Sequence, residues 1–296
     1  MTYSIVARDG ATGELGVAVQ SCFPWVGAAV AWAEPGVGAV ATQAISEVSF
    51  GPIGLELLGA GCDARAALAA LVALDGGAEL RQVSLVGNDA TAASHTGSMC
   101  VPEAGHEVGE GFAVAANMMT SDAVWPAMAT AFESTGGDLA QRLLAALDAA
   151  QAEGGDLRGC QSAALVVVGS ERAAPGHGRR IDARVDDHHD PLVELRRLVE
   201  LAVPYAELDR AIELVGALDL DRARSAARHA VELRPALLDA VVIATSLTAM
   251  LDGVDAARAW VGDWGGDRER VGLLWRRLIA SGMVPDDPGV VGQVLA

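Results

Sequence analysis

The chain has 296 residues, of which 51% are hydrophobic and 20% are charged, a balance typical of a folded globular protein. Its net charge of −18 repels phosphate backbones and anionic membrane surfaces, so we expect neither nucleic acid nor membrane among its partners. All 21 basic residues are arginines, which excludes catalysis by a lysine base or a lysine Schiff base.

The cysteine pattern and the N-terminal segment concern the cellular compartment. The chain has 4 cysteines, which lie far apart without a CxxC pair: Cys22, Cys62, Cys100 and Cys160. This spacing favours reduced thiols over a disulfide framework or a zinc site, and we expect neither a metal nor another cofactor. The N-terminal segment lacks the apolar stretch of a signal peptide, and no run approaches the roughly 20 apolar residues of a membrane helix. These features predict a cytoplasmic protein.

Strand patterns begin at once and are then replaced by helical spacing. Two strands are predicted over residues 2–8 and 14–21, around the turn sequence DGATG. We therefore expect a hairpin in which Arg8 pairs with Leu15 and Thr2 pairs with Ser21. A third strand is predicted over 37–43. Apolar residues at helical spacing over 54–74, broken by glycines at 59–61, predict two consecutive helices.

The same alternation repeats further along the chain. Strands are predicted over 82–86, 90–95, 103–108 and 111–116, and helices over 121–135 and 138–153. Asp138 is the predicted cap of the second of these helices. Strands over 162–168 and 181–185 then precede a helix over 191–201. This order predicts an α+β fold, with antiparallel sheets and with helices segregated onto their outer faces.

From about Val203 onward the strand patterns end, and we predict two domains, over 1–202 and 203–296. In the second, DRAR at 221–224 resembles DAAR at 255–258 with a spacing of 34, the period of the tetratricopeptide helical hairpin. Such arrays need about three repeats for stability. We therefore expect a small all-α region that packs on the first domain or on a partner.

Polar residues at the ends of apolar strands are the candidate site residues. Asn117 follows a predicted strand, and a side-chain amide there can aim an N–H at a developing negative charge. Thr42, His95 and Gln161 lie at other strand ends and, together with Ser21, are candidates for a substrate pocket. Each of them is equally well interpreted as an ordinary turn or strand-edge residue.

Two further motifs offer nucleophile and metal chemistry. Cys100, near His95, is an alternative nucleophile, although a lone cysteine is more often a buried apolar residue. The segment DDHHD at 186–190 resembles a metal cluster. Because adjacent residues of an extended chain point to opposite sides, we interpret it as a polar turn before a capped helix.

Thr2 is the leading candidate for a nucleophile. Threonine is small enough to permit removal of Met1, which places a hydroxyl and a free α-amine on the same residue. The α-amine has a usual pKa of about 7.7–8.0, so it can act as a base near neutral pH. A threonine paired with its own amine is a recognised nucleophile–base arrangement. The alternative is that Thr2 is only a β-branched residue that begins a strand.

Several segments resemble the bacterial DUF1028 family: TYSIVARDGATGELGVAVQS, GVGAVATQA, GPIGLELL, HTGSMC, GHEVGEGFAVAANMM, QSAALVVV and RVDDHHDPLVELRRL. The resemblance covers residues 1 to about 200, and this family is placed in the N-terminal nucleophile (Ntn) hydrolase superfamily. It implies a four-layer αββα sandwich and amide-bond hydrolysis by Thr2. Because the chain has no lysine, the implied scheme is the acylase type, with the α-amine as base. The tail resembles a helical extension described as peptidoglycan-binding.

We therefore expect an Ntn-type amidohydrolase that cleaves a small-molecule amide, with Thr2 and Asn117 as catalytic residues. The alternative is a non-catalytic binding module on the same fold, whose helical tail recruits a protein or glycan partner. The oligomeric state is left open, with a homo-oligomer among the alternatives.

Overall fold

The computed structural model describes residues 2–174, 176–284 and 288–296, so Met1 lies outside the described residues. The chain divides into two compact units, of which the first ends at Val199 and the second begins at Glu200. The first unit combines antiparallel sheets with helices, and the second contains only helices among its described residues. In the described ranges, no helix combines the length and the apolar character needed to traverse a bilayer.

Ten strands are present in the part of the chain that the structure describes. They are β1 Thr2–Arg8, β2 Leu15–Ser21, β3 Ala31–Glu34, β4 Gly38–Ala44, β5 Arg81–Gly87, β6 Ala92–Thr96, β7 Gly105–Gly109, β8 Phe112–Asn117, β9 Ser162–Val168 and β10 Arg179–Val185. One sheet has six strands in the order β10-β9-β2-β1-β8-β7, and the other has four in the order β3-β4-β5-β6. All neighbouring strands in both sheets are antiparallel.

The helices of the described residues follow in chain order. They are α1 Val26–Ala29, α2 Phe50–Gly59, α3 Ala64–Leu74, α4 Val124–Ser134, α5 Leu139–Ala152, α6 Pro191–Glu200, α7 Ala202–Gly216, α8 Leu220–Leu233, α9 Leu238–Asp252, α10 Val254–Trp264, α11 Arg268–Ala280 and α12 Pro288–Leu295. Helices α2 and α3 pack on the four-stranded sheet, whereas α5 packs on β1 and β2 of the six-stranded sheet.

The N-terminal hairpin has the register that the sequence predicts. Arg8 lies opposite Leu15, and Thr2 lies opposite Ser21. The turn is held by the Asp9 carboxylate, which accepts hydrogen bonds from the backbone N–H groups of residues 11 and 12 at 2.9 and 2.8 Å. An Asp side chain that bonds to the backbone a few residues on is a common way to fix such a turn.

Predictions for the helices are confirmed with small shifts. Asp138 caps α5, and its side chain and that of Gln141 form a reciprocal capping box. Helix α4 begins three residues later than predicted, because Ser121 accepts the N–H of Ala123 at 3.4 Å in a turn ahead of the helix. The short elements α1 and β3 have no sequence prediction, since 4 residues each are too few to display a hydrophobic period.

The apolar clusters on the two faces of the four-stranded sheet show which way its strand residues face. The first lies between the two sheets and includes Val6 and Val17 of one sheet and Ala41 of the other. The second lies between the four-stranded sheet and its helices and includes Val40. Since side chains alternate along a strand, odd-numbered residues of β4 face the other sheet and even-numbered residues face the helices.

The second unit repeats one local arrangement at the two matching segments. Asp221 lies in the first turn of α8 and Asp255 in the first turn of α10. Each carboxylate pairs at 3.0 Å with an arginine three residues on, Arg224 and Arg258 respectively. Matching residues at a spacing of 34 therefore have matching local contacts. Whether the unit is tetratricopeptide-like or peptidoglycan-binding stays a prediction.

Candidate functional site

The predicted nucleophile lies between two of the predicted site residues. Thr2 begins β1 and pairs with Ser21 of β2 on one side and with Asn117 of β8 on the other. Its Oγ1 donates a hydrogen bond to Ser21 Oγ at 3.1 Å. Thr2 is only 4% exposed, and its two neighbours are buried. The structure therefore brings together three polar residues that the sequence places far apart.

Two glutamines of the four-stranded sheet reach across to the same point. Gln43 Nε2 donates to the carbonyl oxygen of Thr2 at 3.3 Å and to Gln82 Oε1 at 2.7 Å. Asn117 Nδ2 donates to the same two oxygens, at 3.4 Å to Thr2 O and at 2.8 Å to Gln82 Oε1. The carbonyl group of Thr2 is thus held by two amides from two different sheets.

The orientation of the Gln82 amide follows from its partners. Its Nε2 lies 3.1 Å from Gly105 O and 2.9 Å from Ala116 O. Because carbonyl oxygens only accept hydrogen bonds, Nε2 must face them, and Oε1 must face the donors Gln43 and Asn117. Gln82 is fully buried, so each of these bonds replaces one that water would otherwise make.

The network continues from Gln82 to the protein surface. Gln82 Nε2 donates to Thr96 Oγ1 at 2.9 Å, and Thr96 Oγ1 lies 2.8 Å from His106 Nδ1. Since Thr96 accepts from Gln82, its hydroxyl hydrogen can be donated to a neutral imidazole. Partial desolvation, together with the nearby His95, lowers the pKa of His106 from its usual value, although His106 as a residue is exposed. Both observations favour the neutral ring.

Unfavourable backbone conformations surround this end of the sheets. Ala44, directly after Gln43, has φ 70°, and Met118, directly after Asn117, has φ 57°. Trp25, in the loop that follows β2, has φ 59°. A left-handed conformation costs a residue with a side chain roughly 1–2 kcal/mol. Such outliers cluster at functional sites, where the surrounding structure must hold them.

Thr42 and His95 lie on the other face of their sheet. Thr42 precedes Gln43, points toward the helices and donates from Oγ1 to Glu47 O at 3.0 Å. His95 pairs with a residue on the helix-covered face of β5, and its Nε2 lies 2.9 Å from Ala78 O. The structure does not bring either side chain to Thr2.

Gln161 approaches the site through its backbone. Its N–H donates to Ser21 O at 2.9 Å, whereas its side-chain Nε2 donates to Asp187 Oδ1 at 3.1 Å. The turn that contains Asp187 is closed by the Asp190 N–H, which donates to His188 Nδ1 at 3.0 Å. Across the described residues, no group of three or more His, Cys, Asp or Glu side chains is placed to hold a metal ion.

The alternative nucleophile Cys100 lies in an unfavourable environment for attack. Burial raises the pKa of its thiol, and Sγ donates to Arg81 O at 3.4 Å. Because the thiolate is the reactive form, a raised pKa reduces the reactivity of this cysteine.

A further buried carboxylate lies close by and was not predicted from the sequence. Asp156 accepts the N–H of Cys22 at 3.3 Å and pairs with the Arg158 guanidinium at 3.0 Å. Gln82 was also missed. Its sequence signal is a side-chain amide at the end of an otherwise apolar strand, which requires partners when it is buried.

The comparisons with known proteins match the first unit of the chain. A family model described as a family of unknown function, DUF1028, matches residues 2–195. The chain belongs to the DUF1028 family. A crystal structure of protein SPO2555 from Silicibacter pomeroyi, also assigned to DUF1028, is 29% identical with a TM-score of 0.61; the match covers 68% of this chain and 89% of that chain. A comparison with curated proteins finds no match. Every residue of the Thr2 network lies in the DUF1028 region, and the second unit lies beyond it.

Proposed function

We propose that this DUF1028 protein is an amide hydrolase of the N-terminal nucleophile type, in which removal of Met1 makes Thr2 both nucleophile and base. The observation that carries the proposal is the fixation of Thr2 from three sides, by Ser21, Asn117 and Gln43. Positioning of a reacting group supplies a large part of enzymatic rate enhancement. A side chain that only begins a strand does not need a buried amide network around its carbonyl group.

The order of packed elements agrees with the four-layer αββα sandwich of this superfamily. The two sheets meet through the core that contains Val6 and Ala41. Helices α2 and α3 lie against one sheet, and α4 and α5 lie against the other. In this arrangement the start of β1 lies beside the ends of β2 and β8 at one edge of the six-stranded sheet, where Thr2 is located.

The reaction proceeds in two balanced steps. Thr2 Oγ1 attacks the carbonyl carbon of the amide, and its proton passes to the Thr2 α-amine. The new oxygen–carbon bond forms, the carbon–nitrogen bond breaks, and the departing amine takes up the proton. Water then attacks the resulting ester, which releases the carboxylic acid and restores the Thr2 hydroxyl.

Ser21 and Asn117 have distinct roles in this scheme. Ser21 Oγ accepts from Thr2 Oγ1 and so fixes the direction of the attacking oxygen. Asn117 Nδ2 donates to Thr2 O at 3.4 Å, a longer bond than the one it makes to Gln82 Oε1. When the substrate is bound, Nδ2 gives up the bond to Thr2 O and donates to the developing oxyanion instead. Gln82 keeps the Asn117 amide in place from the opposite sheet.

The test combines mass with kinetics. Intact-mass measurement should show a chain without Met1, and retention of Met1 would remove the base from the scheme. On a chromogenic amide, Thr2→Ala should lose about a thousandfold or more in kcat/KM, as expected for loss of a nucleophile. Cys100→Ala should remain active. A processed, folded wild-type protein that turns over no amide favours the alternative, a non-catalytic binding module.

A further inference from the structure

Loops next to Thr2 expose large apolar side chains. We call five of them the apolar rim, and they are between 42% and 66% exposed: Phe23, Ile45, Met99, Val101 and Leu157. Isolated apolar residues are common on protein surfaces. A group of them supplied by separate loops to one place indicates a binding site instead.

Two members of the rim adjoin the partners of Thr2. The backbone N–H of Phe23 donates to Ser21 Oγ at 3.2 Å, and this oxygen also accepts from Thr2 Oγ1. Ile45 follows Gln43 by two residues, at the end of the strand from which Gln43 reaches Thr2 O. An exposed apolar residue therefore follows the end of β2 and the end of β4, next to residues that bond to Thr2.

The other members adjoin Asn117 through its neighbour Met118. The Met118 N–H donates to Val101 O at 3.1 Å, and the Leu157 N–H donates to Met118 O at 3.2 Å. Met99 lies two residues before Val101 in the same loop. The loops that carry the rim are thus connected to both strands that flank β1, at the end of the sheet where Thr2 begins.

The charges at this edge do not favour an anionic ligand. Arg81 pairs with Asp75 at 2.7 Å, and Arg158 pairs with Asp156 at 3.0 Å. Arg81 also donates to Ile45 O at 2.7 Å, so it is held within the rim loop. With these cations neutralised and a net charge of −18, the protein repels a substrate carboxylate.

We infer that the substrate is an amide whose acyl group is uncharged and apolar, aliphatic or aromatic, and that the apolar rim holds this group. The inference rests on the proposed function, because the acyl group stays bonded to Thr2 Oγ1 after the amine has left. Each methylene that moves fully from water into apolar contact strengthens binding about fourfold. A rim of apolar side chains therefore selects by acyl length.

The experiment uses the full-length, processed protein and a series of 4-nitroanilides that share one leaving group. The acyl groups are acetyl, butyryl, hexanoyl and succinyl. We expect kcat/KM to rise by about tenfold or more from acetyl to hexanoyl. Butyryl should exceed succinyl, which has a similar length but carries a carboxylate.

Two valines provide a matched pair of variants. Val101 is 42% exposed and lies in the rim, whereas Val108 is 43% exposed and pairs with Ala113, toward the other end of β8. Val101→Ser should lower the hexanoyl-to-acetyl ratio about two- to fourfold. Val108→Ser should leave this ratio unchanged.

The results separate the two proposals. A flat series, a preference for succinyl, or equal effects of the two valine variants would overturn the apolar-acyl assignment. If one of these results is obtained and Thr2→Ala still abolishes turnover, only the apolar-acyl assignment is wrong and the hydrolase proposal stands. Absence of turnover for every anilide, in protein that lacks Met1 and resists labelling of Thr2 by an electrophile, overturns both.

Discussion

The two ends of the space between the sheets differ sharply in chemistry, although the same strands build both. At one end Val6, Leu15 and Val17 pack in an apolar cluster. At the other end of the same space, four residues before Val6 on β1, Thr2 belongs with Gln43 to a buried hydrogen-bond network. Apolar burial stabilises a fold without directional requirements, whereas a buried polar network stabilises it only when every partner is present. Stability and the candidate chemistry are therefore assigned to opposite ends of one core.

The largest effect on stability is expected at the apolar end. Leu15→Ala removes a fully buried side chain and should lower the free energy of unfolding by about 2–5 kcal/mol, measured by urea denaturation. The folded fraction should keep its kcat/KM, because Leu15 lies opposite Arg8 and far along the hairpin from Thr2. Leu74→Ala, at a residue 87% exposed, is the control and should change stability by less than about 0.5 kcal/mol. A large loss of kcat/KM in Leu15→Ala would show that the two ends are not separable.

A substitution at the centre of the polar network should lower both the free energy of unfolding and kcat/KM. Gln82→Met keeps the side-chain length but leaves the donors of Gln43 and Asn117 without their shared acceptor. We expect a loss of about 1–3 kcal/mol in unfolding free energy, the cost of unpaired buried polar groups, together with reduced kcat/KM. Gln151→Met is the control, since Gln151 is exposed and its Oε1 accepts a hydrogen bond from Tyr3 Oη at 3.0 Å, outside the Gln82 network. Unchanged kcat/KM in Gln82→Met would separate this network from catalysis.

A helix cap outside both ends of the core provides a reference for a loss of stability without a loss of activity. Asp138 accepts the N–H of Gln141 at 2.9 Å and caps α5. Asp138→Ala should lower the free energy of unfolding by about 1 kcal/mol and leave kcat/KM unchanged. Asp138→Asn, which retains a capping oxygen, should recover most of this loss. If kcat/KM falls in proportion to the free energy of unfolding in these variants, kcat/KM depends on the stability of the whole fold and not specifically on the Thr2 site.

The smallest effect is expected where the network meets solvent. The pKa of His106 lies below its usual value of 6.5 in the folded protein, so the unfolded chain takes up a proton that the folded ring resists. The stabilisation is present above pH 6.5 and is lost as pH falls toward and through the folded pKa. His106→Gln should reduce this loss on acidification, measured by urea denaturation at several pH values. Because His106 is partly exposed, we expect a small difference.

Much of the fold could be predicted because alternating and helical periods are strong signals in this chain. The hairpin register followed from the two-glycine turn, and it placed Thr2 beside Ser21. Misses at the site share one cause. The predicted site residue is Thr42 where Gln43 faces Thr2, and it is His95 where Thr96 joins the network. A shift of one residue reverses the face of a strand, and at a strand end there is too little apolar alternation to decide it.

Gln82 illustrates a different limit of the sequence. Its role depends on donors from β4 and β8 and on acceptors at Gly105 and Ala116, all distant along the chain. Strand order across two sheets is required to bring these groups together. A single sequence displays the period of each strand but not which strands become neighbours.

The most direct test of Thr2 as the reactive group is to locate a covalent adduct. The processed wild-type protein would be treated with an acylating amide or β-lactone probe, digested, and its peptides sequenced by mass spectrometry. The prediction is one adduct on Thr2 of a chain that begins at that residue, with no adduct in Thr2→Ala. An adduct on Cys100, or a reactive chain that retains Met1, would contradict the assignment.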